Sequence, residues 1–358
     1  ALRREPADLV FPPIRKIDEM QNRMSERQLI LSYFKTSRGM AVFLFKNSKF
    51  SAWQIEEPAK VVTALKAMLK EMGHFEANQT LTADALKSNA WRKPAAELLN
   101  LLVRNPKPEF WNDYDELIIV PDGLMWYVPF EALPVNVEGD VLLSKIRVRY
   151  APTIGLALPD ERGRKPAAKT AVVAGRLFPR DDDRMAAEAA ADIQAVLPET
   201  TILTDLLPAH TAIQKSNWDR LIVLDDVDDR NLAGFDWSPA QIDRGKFGSK
   251  LADWFTLPWG APAVVVLPGF HTAAENGLKR AGGGDEIFLS MCALMSTGTR
   301  TILLSRWRTG GQNSFDLIRE FVQELPRTSA SDAWRRSVIL AQGAHLDVER
   351  VPRVKINP

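Results

Sequence analysis

The sequence predicts an α/β protein: a mostly parallel central sheet covered by helices in three α/β/α layers, preceded by a portion built from a helix and a β-hairpin. Three observations predict it. Short apolar runs, in Thr170-Ala-Val-Val-Ala-Gly175, Leu221-Ile-Val-Leu224, Ala263-Val-Val-Val-Leu267 and Thr299-Arg-Thr-Ile-Leu-Leu-Ser305, read as strands, and the one at Ala263, with no polar gap, suits burial on both faces. Helix-period segments alternate with them, which argues for crossover connections and a parallel sheet. The run Ala263 to Thr272 breaks at Pro268-Gly269, so its strand stops abruptly at a loop on the edge where open parallel sheets bind ligands.

In chain order, residues 1 to 16 read as an extended arm, and Ile17 to Leu31 carries helical spacing in Ile17, Met20, Met24 and Leu29. Leu29 to Thr36 and Met40 to Lys46 flank the turn Ser37-Arg38-Gly39 as a hairpin, which Lys49 to Ile55 extends to a meander. Pro58 to Met72 and Trp91 to Val103 read as helices, and Glu116-Leu-Ile-Ile-Val120 as a buried strand ending in Pro-Asp-Gly. Pro159 to Lys169 is a charged linker that sets the expected domains at 1–165, 166–343 and a tail, 344–358. Beyond it follow Thr170 to Gly175 (strand), Arg184 to Leu197 (helix), Thr201 to Thr204 (strand), a short helix near Thr211, Leu221 to Leu224 (strand) and a long connection to Gly260. After the strand at Ala263 come a helix from Asp285 to Ser296, the strand at Thr299 and helices at Ser314 to Leu325 and Ser331 to Gln342. Gly298 falls where a left-handed helix cap is expected, and Asp332 near the start of its helix.

Composition excludes several functional classes. The 358 residues, 46% hydrophobic and 25% charged, describe an ordinary globular chain, and a formal charge of +1 supplies no bulk field to hold nucleic acid or an anionic membrane. A single cysteine, Cys292, rules out an intramolecular disulfide and a cysteine-rich zinc site, and agrees with a reducing, cytoplasmic setting. No run approaches the roughly 20 apolar residues of a membrane span. The start, Ala-Leu-Arg-Arg-Glu-Pro, is no signal peptide, and its lack of Met leads us to expect part of a longer protein.

The segment Val120-Pro-Asp-Gly123, Trp126-Tyr127 and Pro129-Phe-Glu-Ala-Leu133 resembles the hallmark of the CHAT family, caspase-like domains often fused to tetratricopeptide repeats. In this chain those residues are expected to form a turn and a core wedge. Val148-Arg-Tyr-Ala-Pro-Thr153 is similar to the family's Tyr-Ala-Pro-Ser junction, Gly284-Asp-Glu286 to its helix start and Leu303-Leu-Ser-Arg-Trp307 to its Ser-Leu-Trp strand end. The resemblance implies a caspase-like sandwich of the clan CD cysteine peptidases and an upstream repeat domain.

Parallel strands would align Arg176, Asp205, Asp225, Asp226, Phe270, His271, Arg306 and Arg308 along one edge. The resemblance implies a His at the end of one central strand, in a sequence like His-Phe-Ala-Thr-His-Gly, and a Cys at the end of the next, in one like Leu-Ser-Ala-Cys-Glu-Thr. The corresponding segments here are Ile222-Val-Leu-Asp-Asp-Val227 and Leu267-Pro-Gly-Phe-His-Thr272, with Asp226 at the base position and Phe270 at the nucleophile position. A phenyl ring has no nucleophilic atom, and a carboxylate cannot switch between base and acid near neutral pH without a strongly raised pKa. Cys292 lies within a helical apolar pattern and reads as a buried thiol.

These replacements predict a pseudo-peptidase that binds a protein or peptide through the rim Arg176, Asp225, Asp226, Phe270, His271, Arg306 and Arg308, with no catalytic residues, cofactor or metal. The alternative is a hydrolase built around His271 and Asp226, or a serine such as Ser305. His271 with Asp225, Asp226, Asp228 and Asp229 is also a weak metal pattern, since one His and an acidic loop more often pair with Arg or water. His74, His210 and His345 lack ligand spacing. The run Arg280-Ala-Gly-Gly-Gly-Asp-Glu286 could cradle a phosphate, but it lacks the Lys-Ser/Thr of a P-loop and reads better as turn and cap. A nucleotide-binding domain ranks last, on fold analogy alone. Arg306 and Arg308 either neutralise the acidic loop or receive an acidic peptide.

Overall fold

In the computed structural model of the chain, the residues described are 16–37, 39–47, 49–76, 79–104, 106–158, 169–203, 218–226, 262–272, 274–279, 283–296 and 298–354. The N-terminal arm up to residue 15, most of the linker after Pro159, Asp205, the helix near Thr211, His210, Asp228, Asp229, the long connection to Gly260 and residues 280–282 lie outside them. The chain groups into two compact units: one within residues 12–163 and 273–284, the other within 164–272 and 285–354.

The first unit holds α1 (Ile17–Gln21), β1 (Gln28–Thr36), β2 (Gly39–Phe45), β3 (Phe50–Ile55), α2 (Pro58–Glu71), α3 (Ala83–Lys87), α4 (Arg92–Leu102), β4 (Glu116–Val120), α5 (Leu142–Lys145), β5 (Arg147–Tyr150) and α6 (Ile154–Ala157). The expected meander is present: β1 and β2 pair antiparallel with Thr36 opposite Gly39, and β3 adds to β2. The lead-in helix is far shorter than its periodicity suggests, ending at Gln21. Residues 28–31 join β1 instead because that strand has neighbours on both sides, antiparallel β2 and parallel β4. Central pairing overrides a helical period. The sheet order is β3-β2-β1-β4-β5, so the Val148-Arg-Tyr150 segment of the predicted junction is itself a strand, parallel to β4.

The motif after β4 builds a turn and wedge as expected. Asp122 accepts a hydrogen bond from the Lys35 N–H (2.7 Å), while Met125, Trp126, Tyr127, Phe130 and Leu133 are buried. The Tyr150 hydroxyl accepts from the Phe130 N–H (3.1 Å) and is also bonded to the Glu131 carboxylate, holding the wedge on β5. Residues 274–279 and 283–284 pack on this platform. In α8 (Ala274–Lys279) the Glu275 N–H donates to the Phe75 carbonyl at 3.1 Å, and a Cβ on Gly284 would stand 2.4 Å from the Gly123 carbonyl and 2.7 Å from Trp126 Cβ.

The second unit carries β6 (Thr170–Ala174), α7 (Asp183–Val196), β7 (Thr200–Leu203), β8 (Arg220–Leu224), β9 (Val264–Leu267), α9 (Asp285–Ser296), β10 (Thr301–Leu304), α10 (Gln312–Glu324) and α11 (Ala330–Gly343). All of its described strands are parallel, in the order β10-β9-β8-β6-β7. Val172, Ile222, Leu224 and Val266 form one core with Ala190 and Ile193 of α7, Phe315, Ile318 and Phe321 of α10 and Ala333 of α11. The alternate residues Ala171, Val173, Leu221, Val223 and Val265 are equally buried, so both faces are covered, as the gapless run at Ala263 required. The path from β6 to β7 runs one way along the sheet and that from β9 to β10 the other, so right-handed crossovers set α7 and α9 on opposite faces. This is the caspase-like α/β/α arrangement.

Local signals hold at the helix ends. Gly298, with φ 112°, closes α9 through bonds from its own N–H to the Met295 carbonyl and from the Thr299 N–H to the Leu294 carbonyl, a Schellman pattern. Ser329 caps α11 by accepting from the Asp332 N–H at 3.2 Å. Among the described residues no helix is long and apolar enough to cross a membrane.

Candidate functional site

Because the strands are parallel, the residues following each one lie on a single edge: Gly175-Arg176 after β6, Asp225-Asp226 after β8, Pro268 to Thr272 after β9, and Ser305 to Arg308 after β10. The strand order changes direction between β6 and β8, and such a switch point opens the crevice of a doubly wound sheet. The backbone closes tightly there. The Gly175 N–H donates to the Leu224 carbonyl (2.9 Å), and the Asp226 N–H to the Arg176 carbonyl (2.6 Å).

Asp225 is 3% exposed, and its carboxylate accepts from the Arg176 N–H at 3.1 Å. It therefore fixes the loop after β6 and is not offered to a ligand. Gly269 lies directly against the loop after β8, where a Cβ would fall 1.9 Å from the Asp225 carbonyl oxygen. No side chain fits at that position, so Pro268-Gly269 both ends β9 and admits the neighbouring loop.

The two positions of the expected dyad hold a buried ring and a paired carboxylate. Phe270, at the end of β9, is 1% exposed and points into the packing. Asp226, at the end of β8, forms an ion pair with Arg308, whose Nη2 stands 2.9 Å from Oδ2. The Arg308 guanidinium also lies 5.9 Å from the Phe178 ring centroid, within cation–π range. β9 lies between β8 and β10, so this pair, joining the loops of the outer two, spans the end of the strand that carries Phe270.

His271 is 2% exposed, and its Nδ1 is 3.9 Å from Asp226 Oδ1. That separation is too long for a hydrogen bond, so the two do not form the tight acid/imidazole pair that orients a general base. Thr272 beside it ties the loops after β9 and β10 together: its N–H and its hydroxyl both donate to the Arg306 carbonyl, at 2.9 and 3.1 Å. Ser305 is engaged with its own loop, its hydroxyl donating to the Trp307 carbonyl at 2.5 Å. Arg176 is exposed and Arg306 and Trp307 are half-buried, so solvent reaches the rim at these residues.

Cys292 lies in α9, half-buried, and burial pushes its thiol up to about 11. Almost none of it is thiolate near neutral pH, which is the reverse of what a nucleophilic cysteine needs. One group that sequence patterns did not single out is Asp181, 5% exposed. Its carboxylate accepts from the Phe178 N–H (3.0 Å) and the Gly311 N–H (2.8 Å), linking the loop after β6 to the start of α10. Burial raises its pKa above the usual carboxylate value despite those donors. Its sequence context, Pro-Arg-Asp-Asp-Asp, looks like a solvated acidic turn and carries no signal of a buried clamp.

A parallel five-stranded sheet of this order, with loops gathered at the ends of β8 and β9, is consistent with a caspase-like α/β/α sandwich. Residues 92–242 match the family model described as CHAT domain. The match includes the Pro-Asp-Gly and Pro-Phe motifs and Asp226. Phe270 lies beyond it, and its correspondence rests on its place at the end of β9. No curated protein matches the chain.

Proposed function

We propose that this chain is a CHAT-type pseudo-peptidase, a module that binds a protein or peptide along the rim of the parallel sheet without cleaving it. One observation carries the reading: the strand ends where family members place a base and a nucleophile hold Asp226, clasped by Arg308, and a buried Phe270. The side chains within a partner's reach are Arg176, Arg306 and the edge of the Asp226–Arg308 pair, so charge and hydrogen bonding orient the partner. Phe270 and His271 act from beneath by holding the loops. The cytoplasm and a longer protein with upstream repeats are the setting we assign to it.

A second reading, hydrolysis through His271 and Asp226, draws on their adjacency. The 2% exposure of His271 and its 3.9 Å separation from the carboxylate count against it. The test exposes wild type, His271→Ala and Cys292→Ser to a panel of fluorogenic peptides and a peptidyl acyloxymethyl ketone probe. We expect no turnover and no site-selective labelling in any of the three. Turnover abolished by His271→Ala would favour the hydrolase, and labelling lost only in Cys292→Ser would restore that thiol as a nucleophile.

A further inference from the structure

The segment Asp-Val-Glu-Arg-Val-Pro-Arg-Val, residues 347–354, mixes valines and a proline with charged residues, and nothing in its pattern predicts docking. It nevertheless lies on the unit that carries the rim. Arg353 is 8% and Val354 6% exposed, an unusual burial for an arginine near a chain end. The contact is specific to a glycine. Gly311 has φ 75°, and a Cβ there would stand 2.7 Å from both the Arg350 carbonyl oxygen and Pro352 Cδ, so the segment runs directly over that residue. Gly311 closes the rim loop that begins at Ser305, and the Asp181 carboxylate receives its N–H.

We infer that Val348–Val354 is an intramolecular strap seated on the rim loop, in competition with the peptide that binds there, and that this peptide shares the strap's chemistry, a short apolar stretch bearing arginine. The inference rests on the peptide-binding reading above and adds its regulation and ligand class. Within the segment, the Arg350, Val351 and Val354 N–H groups donate to the Asp347, Val348 and Val351 carbonyls, closing it into consecutive turns. Arg353 also feels the like charge of Arg308, which together with burial makes its protonated form less favourable. An arginine beside the Asp226–Arg308 clasp is positioned to contest that pair, as an incoming arginine would be.

The experiment uses the full chain and a fluorescein-labelled peptide of residues 347–354. Wild type is compared with Arg353→Ala and Gly311→Ala, which weaken the contact from opposite sides, with thermal melting used to check folding. A strap closed nine-tenths of the time lowers apparent affinity about tenfold, so Arg353→Ala should bind the labelled peptide about tenfold more tightly than wild type, while Gly311→Ala, whose Cβ blocks the seat for strap and peptide alike, should bind it more weakly than Arg353→Ala. Amides of residues 350–354 should exchange with deuterium more slowly in wild type than in the free peptide, and faster in the variants. Equal affinity in all three proteins, or wild-type exchange at the free-peptide rate, would overturn the strap, and the exchange arm decides this even if a variant does not fold. If a mixed octapeptide pool and the labelled peptide bind neither variant while wild-type exchange stays slow, the peptide-binding reading is what fails. The competition falls with it, and the docked segment remains as a structural contact.

Discussion

At the rim, single side chains decide between chemistry and packing. Phe270 stands where a nucleophile is expected and fills core volume instead, so Phe270→Ala should cost about 3–5 kcal/mol, read as a lowered denaturation midpoint. A stability change below about 1 kcal/mol would mean that the ring is not packed as described. Cys292 gives a pH signature. Its folded pKa of about 11 exceeds the ordinary thiol value of 9.0, so its contribution to stability is complete below the unfolded value and is lost as pH rises through about 11. Alkylation by iodoacetamide at pH 8 should run about a hundredfold slower than for a free thiol, given two pKa units less thiolate. Reaction at the free-thiol rate would refute its placement in α9. Of these residue-scale features, the loss of a nucleophile could be read from the sequence because it depends on residue identity alone. The burial of His271 could not, because one imidazole in a strand-end loop looks the same whether it faces water or core.

At the scale of elements, the parallel strands were legible because burial on both faces demands unbroken apolar runs, and β6, β8 and β9 carry them, while β10, half-buried at the sheet edge, keeps the short run Ile302-Leu-Leu304. β5 was not. Arg147-Val-Arg-Tyr150 alternates charge with apolar residues, and pairing with β4 makes it a strand. The helical period from Ile17 to Leu31 misled for the complementary reason, since residues 28–31 belong to a strand paired on both sides. Long-range contacts between loops are the least visible. Asp181 joins the loop after β6 to the start of α10, and Asp181→Ala would leave the Phe178 and Gly311 N–H groups without that acceptor. We expect a loss of about 2–4 kcal/mol from the two together, measured by urea denaturation, whereas the neighbouring exposed Asp182→Ala should cost about 1 kcal/mol as a helix-cap loss. Equal effects from the two substitutions would show that Asp181 is not a clamp.

For the whole molecule, an ordinary globular composition with a formal charge of +1 left only weak constraints on function, and the CHAT resemblance supplied the frame in which Asp226 and Phe270 became informative. The structure adds that the edge is closed by an ion pair spanning β9, and that Arg176 and Arg306 stand where solvent reaches. A rim charge acts mainly through electrostatic steering, so Arg306→Glu should weaken peptide capture several-fold at low salt and by less at high salt. The most direct test of a rim that binds without cutting is one titration of a peptide bearing a fluorophore and a quencher, with anisotropy reporting binding and dequenching reporting cleavage. The account predicts saturable anisotropy, weakened in Arg306→Glu, with no dequenching over hours. Dequenching that scales with protein concentration and vanishes in His271→Ala would contradict it, as would a flat anisotropy trace across the peptide panel.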